Sequence, residues 1–145
     1  MKRKTDIHFI TQHPSCSKTL QLKDYKPLVQ SVIQAKNIPI KQLRVILVDD
    51  EYLRTLHAQY LHDDSYTDVM TFNLSETGEI EGEIYISLDR ARIHAREYGV
   101  AVRNEVARLI IHGLLHLKGM DDRTPAQRQE MHRTENRLLG EFWER

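Results

Sequence analysis

Residues Thr67–Leu88 read TDVMTFNLSETGEIEGEIYISL. Both ends are rich in β-branched and aromatic residues. GEIYISL alternates apolar and polar positions, the period of a strand that buries one face. SETGEIE between them carries Ser, Thr and Gly and predicts a turn, so the stretch reads as a β-hairpin. Upstream, LRVILVD (Leu43–Asp49) is a β-branched run that reads as a buried strand, and IHFIT near the start is a shorter one. Between these strands, Lys23–Lys36 has helical spacing. Asp24 is placed to cap it, Pro27 falls in its first turn, and Leu28, Val32 and Ala35 share a face. DDEYLRTLHAQY predicts a second helix, with Asp49 or Asp50 as its cap and Leu53, Leu56 and Tyr60 turned inward. Downstream, Asp89–Tyr98 is a charged helix stopped by Gly99, and Asn104–Leu117 is a strongly apolar helix stopped by Gly119. Thr124-Pro125-Ala126-Gln127 is a capping box that starts a last helix running towards Leu139. The order β-α-β-α-β-β-α-α-α predicts a single α+β domain over residues 1–145.

The charge balance narrows the partners. Lys plus Arg and Asp plus Glu each number 21, so the formal net charge is zero. The overall charge argues for no nucleic-acid or membrane partner, and any anion-binding surface has to be a local patch. Cys16 is the one cysteine, which excludes an intramolecular disulfide and fits a reducing compartment. Its plain role is a small buried or surface thiol rather than a nucleophile. The basic start MKRKTDIHFI lacks the apolar run of a secretory signal, and no window approaches the roughly 20 apolar residues of a membrane helix. The expected location is the cytoplasm.

The chemistry concentrates in HGLLHLKGMDD, His112–Asp122. Residues four apart on a helix point the same way, so His112 and His116 can offer both imidazoles to one ion. The surrounding Val106, Leu109, Ile110, Leu114, Leu115 and Leu117 make this the central buried helix, where unpaired polar groups are costly. Gly119 can adopt a left-handed conformation and fold the chain back, bringing Asp121 or Asp122 to the pair. Two imidazoles and a carboxylate leave a fourth position open, the arrangement of a catalytic zinc site. A bare HxxxH is common without metal, and the plainer role of Asp122 is a turn or capping residue before Thr124. The glycine and aspartate at these spacings favour the metal reading. Gly113 stands where HExxH peptidases carry their general-base glutamate, which disfavours peptide hydrolysis by that route.

These residues carry a resemblance. HGLLHLKGMDD is similar to the HGxLHLxGYDH signature of the YbeY family, bacterial zinc-dependent endoribonucleases linked to ribosomal RNA maturation. YTDVMTFNL resembles that family's PTDVLSF strand, GEIYIS its GDIxIS strand, and LHAQYLHDDSYTDV its LNxxYRxKDxPTDV segment. The similarity spans about Val45 to Asp122. It implies an α+β fold with a small mixed sheet surrounded by helices and a metal at the bottom of a cleft. Three departures stand out. The family's third histidine is Asp122 here, which adds negative charge and is expected to make a bound water less acidic. The arginine after the family's tyrosine is Leu61, which removes a natural phosphate contact. The family's Lys and Pro positions are Asp63 and Tyr66, so the loop holding Asp63, Asp64 and Asp68 is acidic.

The resulting expectation is a zinc-dependent, single-strand-specific endoribonuclease with one Zn2+ per chain, acting in ribosomal RNA maturation and ribosome quality control. His112, His116 and Asp122 hold the ion, and a water on it is the nucleophile. His116 and Asp68 are the catalytic assignments, with Glu83 a further candidate base. The expected partners are ribosomal RNA or its precursors, with ribosomal subunit proteins beside them. The other reading is a metal-stabilised ribosome assembly or RNA-binding factor with little catalysis. Arg90, Arg92, Arg96, Arg103 and Arg108 are the densest basic supply for phosphates, although a solvated helix face paired with Asp89, Glu97 and Glu105 is their plainer role. Tyr60, Tyr66, Phe72 and Tyr85 could stack on bases, although packing is the plainer role of each. His8, His13, His57, His62, His94 and His132 lack ligand-like spacing and are expected at the surface.

Overall fold

The computed structural model describes residues 5–13, 20–62 and 65–143. Cys16, Asp63 and Asp64 lie outside the described residues. Four strands form one mixed sheet in the order β1-β2-β4-β3, with β1 Asp6–Thr11, β2 Ile40–Val48, β3 Val69–Asn73 and β4 Ile80–Ser87. β1 and β4 both run parallel to β2, while β3 and β4 form the antiparallel hairpin, with Thr71 opposite Ile84. The helices are α1 Lys26–Ala35, α2 Asp50–Leu61, α3 Leu88–Tyr98, α4 Val102–Lys118 and α5 Pro125–Phe142, with a 3-10 turn at Leu22–Tyr25 before α1.

Strand alternation assigns the two faces of the sheet. In β2, Leu43, Val45 and Leu47 join the large core built on α1, α3, α4 and α5. Ile46 and Val48 point the other way, into a smaller core with Leu53 of α2 and Met70 of β3. The same parity governs β4. Gly82, Ile84 and Ile86 face α4, so Glu83 and Tyr85 face away from it.

Two glycines set how closely α4 lies on the sheet. A Cβ on Gly113 would stand 2.8 Å from Cγ2 of Ile84, and one on Gly82 would stand 2.7 Å from Cδ1 of Leu117. Position 113 therefore faces the core, not the histidine edge. A glutamate there would enter the sheet rather than assist a metal.

The helix ends follow the expected chemistry in most places. Asp49 caps α2 by accepting from the Tyr52 N–H at 2.7 Å. The Thr124/Gln127 capping box is complete, and Gly99 and Gly119 end α3 and α4 in left-handed conformations. Three details differ. Asp24 lies inside the 3-10 turn and caps nothing, because that turn already leads the chain into α1. Ala35 is exposed and Val29 takes its place in the core. Tyr60 is 56 % exposed, because α2 covers the sheet with only its Leu53 side buried.

Candidate metal centre

The histidine pair lies on a partly exposed edge of a largely buried helix. Ile111, Gly113, Leu114 and Leu115 around it are buried, while His112 and His116 are half-buried. At the helix end the Gly119 N–H donates to the His116 carbonyl and the Met120 N–H to the Leu115 carbonyl, closing the reversal. That turn delivers Asp122. Its Oδ2 lies 3.5 Å from His112 Nε2 and 3.4 Å from His116 Nε2, and the two Nε2 atoms are 2.9 Å apart. Ligand atoms about 2.0–2.1 Å from a tetrahedral zinc sit roughly 3.3 Å from one another. The observed triangle has the size of one face of such a tetrahedron. The structure brings these three expected residues together, while the Asp121 side chain is exposed and outside the group.

Behind His112 stands Glu135 of α5, which the sequence reading did not single out. Its Oε2 accepts from His112 Nδ1 at 2.6 Å, which leaves the Nε2 lone pair for an ion. Glu135 is 0 % exposed. Burial pushes its carboxyl up, but hydrogen bonds from His112 and Arg108 and their nearby charge outweigh this and hold it below the usual carboxylate range. Arg108 also forks onto Glu105, at 2.9 and 2.6 Å. Burial pulls the guanidinium down, but Glu105 and Glu135 more than reverse that, so it is held in its charged form. A signal for Glu135 existed in the sequence: it stands four residues after Met131 and three before Leu138, on the apolar face of α5.

A second convergence lies beside the first. His94 Nδ1 on α3 sits 3.4 Å from Asp68 Oδ2 and 3.8 Å from Glu105 Oε2. Asp68, His94, Arg108, His112, Asp122 and Arg128 line one cavity of about 220 Å³. That is below the roughly 300–1,000 Å³ of pockets that enclose whole small molecules. It suits a group the size of a phosphodiester. Arg128 donates only to the Arg123 carbonyl among the described residues, so its guanidinium meets no carboxylate.

Several expected positions fall elsewhere. His94 is not a surface residue but part of the cavity wall, and His13 is buried, bonded to Asp89 at 2.9 Å. Both become visible only when α3 is folded onto its neighbours. Glu83 is on the sheet face away from α4, held by Arg44 and the Tyr85 hydroxyl. Arg90 pairs with Asp50 at 2.7 Å, not with Asp89, and Arg103 lies over the Trp143 ring. Tyr60, Phe72 and Tyr85 form an edge-to-face row on the α2 side, and Tyr66 packs between Arg54 and Arg90. Leu61 is 59 % exposed.

No helix among the described residues is long and apolar enough to cross a membrane. The sequence profile of the family described as Endoribonuclease YbeY matches residues 10–143. A protein of Christiangramia forsetii named Endoribonuclease YbeY is 31 % identical over 139 residues, 96 % of each chain. One of Salinibacter ruber with the same name is 34 % identical, covering 89 % of this chain and 88 % of that one. A solution structure from Thermotoga maritima superposes with a TM-score of 0.63 at 25 % identity, covering 93 % of this chain and 90 % of that one. On a match of this length, the chain belongs to the YbeY endoribonuclease family.

Proposed function

We propose that this chain is an endoribonuclease that hydrolyses single-stranded RNA, with ribosomal RNA or its precursors as substrate, and that His112, His116 and Asp122 hold one zinc ion. The observation that carries this reading is the triangle of His112 Nε2, His116 Nε2 and Asp122 Oδ2 beside a cavity of phosphodiester size, in a chain of this family. Zinc in that donor set would supply Lewis acidity and an activated water. The remaining work falls to the chain's own residues. Glu135 keeps His112 in one tautomer. Arg128 lines the cavity and, among the described residues, meets no carboxylate, so it can hold a phosphate oxygen, a role that Leu61 cannot fill.

Single-turnover cleavage of a ribosomal RNA precursor, with metal content measured in parallel, tests this. Wild type should hold about one zinc per chain. His116→Ala and Asp122→Ala should lose both the metal and cleavage while still binding RNA. Undiminished cleavage by metal-free His116→Ala would overturn the metal mechanism. One observation favours a second reading, a metal-stabilised RNA-binding or ribosome assembly factor: exposed Leu61 stands where the family motif has arginine. Zinc-loaded wild type that binds RNA without cutting it would select that reading.

A further inference from the structure

We propose that His94 is the general acid of this site, oriented by Asp68 and Glu105, and that it protonates the leaving ribose oxygen. The inference rests on the hydrolase reading above. Its basis is the lopsided setting of the ring. Nδ1 is buried and makes no hydrogen bond, yet two carboxylates from separate elements face it, Asp68 at 3.4 Å and Glu105 at 3.8 Å. The side chain keeps 23 % exposure although Nδ1 is buried, and it lines the cavity shared with His112 and Asp122. Tyr98 packs against the ring at 5.9 Å. A buried imidazole edge between carboxylates, with the opposite edge towards a reacting group, is the geometry in which an acidic partner orients a proton-transferring histidine. Asp68, one of the two candidate bases, is thereby placed to position His94. Glu105 is already clamped by Arg108, which makes it a fixed wall rather than a free ligand for a second cation.

The step balances without another reactant. The water oxygen forms a bond to phosphorus, and the bond from phosphorus to the leaving ribose oxygen breaks. That oxygen takes a proton from His94 Nε2. The attacking water releases one proton to solvent, and His94 regains one from solvent, so the protein ends as it began.

The test compares two diesters on zinc-loaded wild type, His94→Ala and His94→Gln. One is single-stranded RNA, whose alkoxide leaving group needs a proton. The other is bis(4-nitrophenyl) phosphate, whose leaving group does not. Both variants should lose on the order of 10²–10⁴-fold on RNA, the usual contribution of general acid catalysis. They should lose less than about tenfold on the nitrophenyl diester, at unchanged zinc content and circular dichroism. Asp68→Asn should show the same split in weaker form. Equal losses on both substrates would overturn the proposal in favour of a structural role, and no loss on RNA would overturn it outright. A second metal per chain that disappears in His94→Ala would overturn it in favour of a cation site. Wild type inactive on both substrates would sink the hydrolase reading and this inference with it, a result distinct from the other three.

Discussion

Glu135 carries a negative charge at a position with no solvent exposure, and it can do so because His112 and Arg108 both donate to it. A buried carboxylate left with one partner would cost several kcal/mol, so the pair of donors is what makes the position tenable. The same carboxylate fixes which ring nitrogen of His112 is free. Outer partners of this kind usually contribute 10–100-fold to metal affinity. Glu135→Gln keeps the shape, weakens the bond and removes the charge. Its zinc affinity, measured by competition with a chelating dye, should fall by about that factor. An unchanged affinity would mean that Glu135 serves the fold alone. His112 and His116 were legible at this scale because helical spacing is a local property. The partners of Glu135 and His94 were not, because a polar residue on a helix, even one on an apolar face as Glu135 is, shows nothing of what lies across from it until the helices pack.

Among the elements, α4 carries the most consequence. It must lie close on the sheet so that its opposite edge holds the histidines at a fixed height over the cavity. Gly113 permits that approach, and Ile84 beneath it is a stiff β-branched residue at 0 % exposure that cannot swing aside. Gly113→Val should therefore lower stability by about 1–3 kcal/mol, the usual cost of overpacking, read as a fall in the urea midpoint. The shifted helix should also bind zinc more weakly. A midpoint at or above wild type would show that the contact has slack. The caps of α2, α4 and α5 were legible from residue type, because capping is settled within a few residues. Two of the misread details, Ala35 and Tyr60, concern which side of a helix finds a neighbour, and the third, Asp24, was overtaken by the 3-10 turn that leads into α1.

For the whole molecule, acid stability gathers these contacts into one observable. Burial raises the Asp89 carboxyl, but hydrogen bonds from His13 and the Asp50 N–H bring it below its ordinary value, as His112 and Arg108 do for Glu135. A folded carboxyl held low contributes stability that is present above the unfolded value of about 4, and that contribution is lost as the pH falls through the lower folded value. Chelator-treated protein should keep a flat urea midpoint down to about pH 4–5 and then lose it steeply. Glu135→Gln should start lower at neutral pH and fall less on acidification. Parallel curves for the two would rule Glu135 out as a contributor. By itself the sequence determined the element order, the hairpin, the caps of α2 and α5 and the HxxxH-glycine-aspartate pattern, because each depends on residues close together in the chain. Only the tertiary structure decided that Asp122 rather than Asp121 meets the histidines, that Glu83 faces away from them, and that Asp68, His94 and Glu105 converge. Those outcomes depend on strand parity and on how α3, α4 and α5 pack, where small differences in rotation about a helix axis choose which side chains meet.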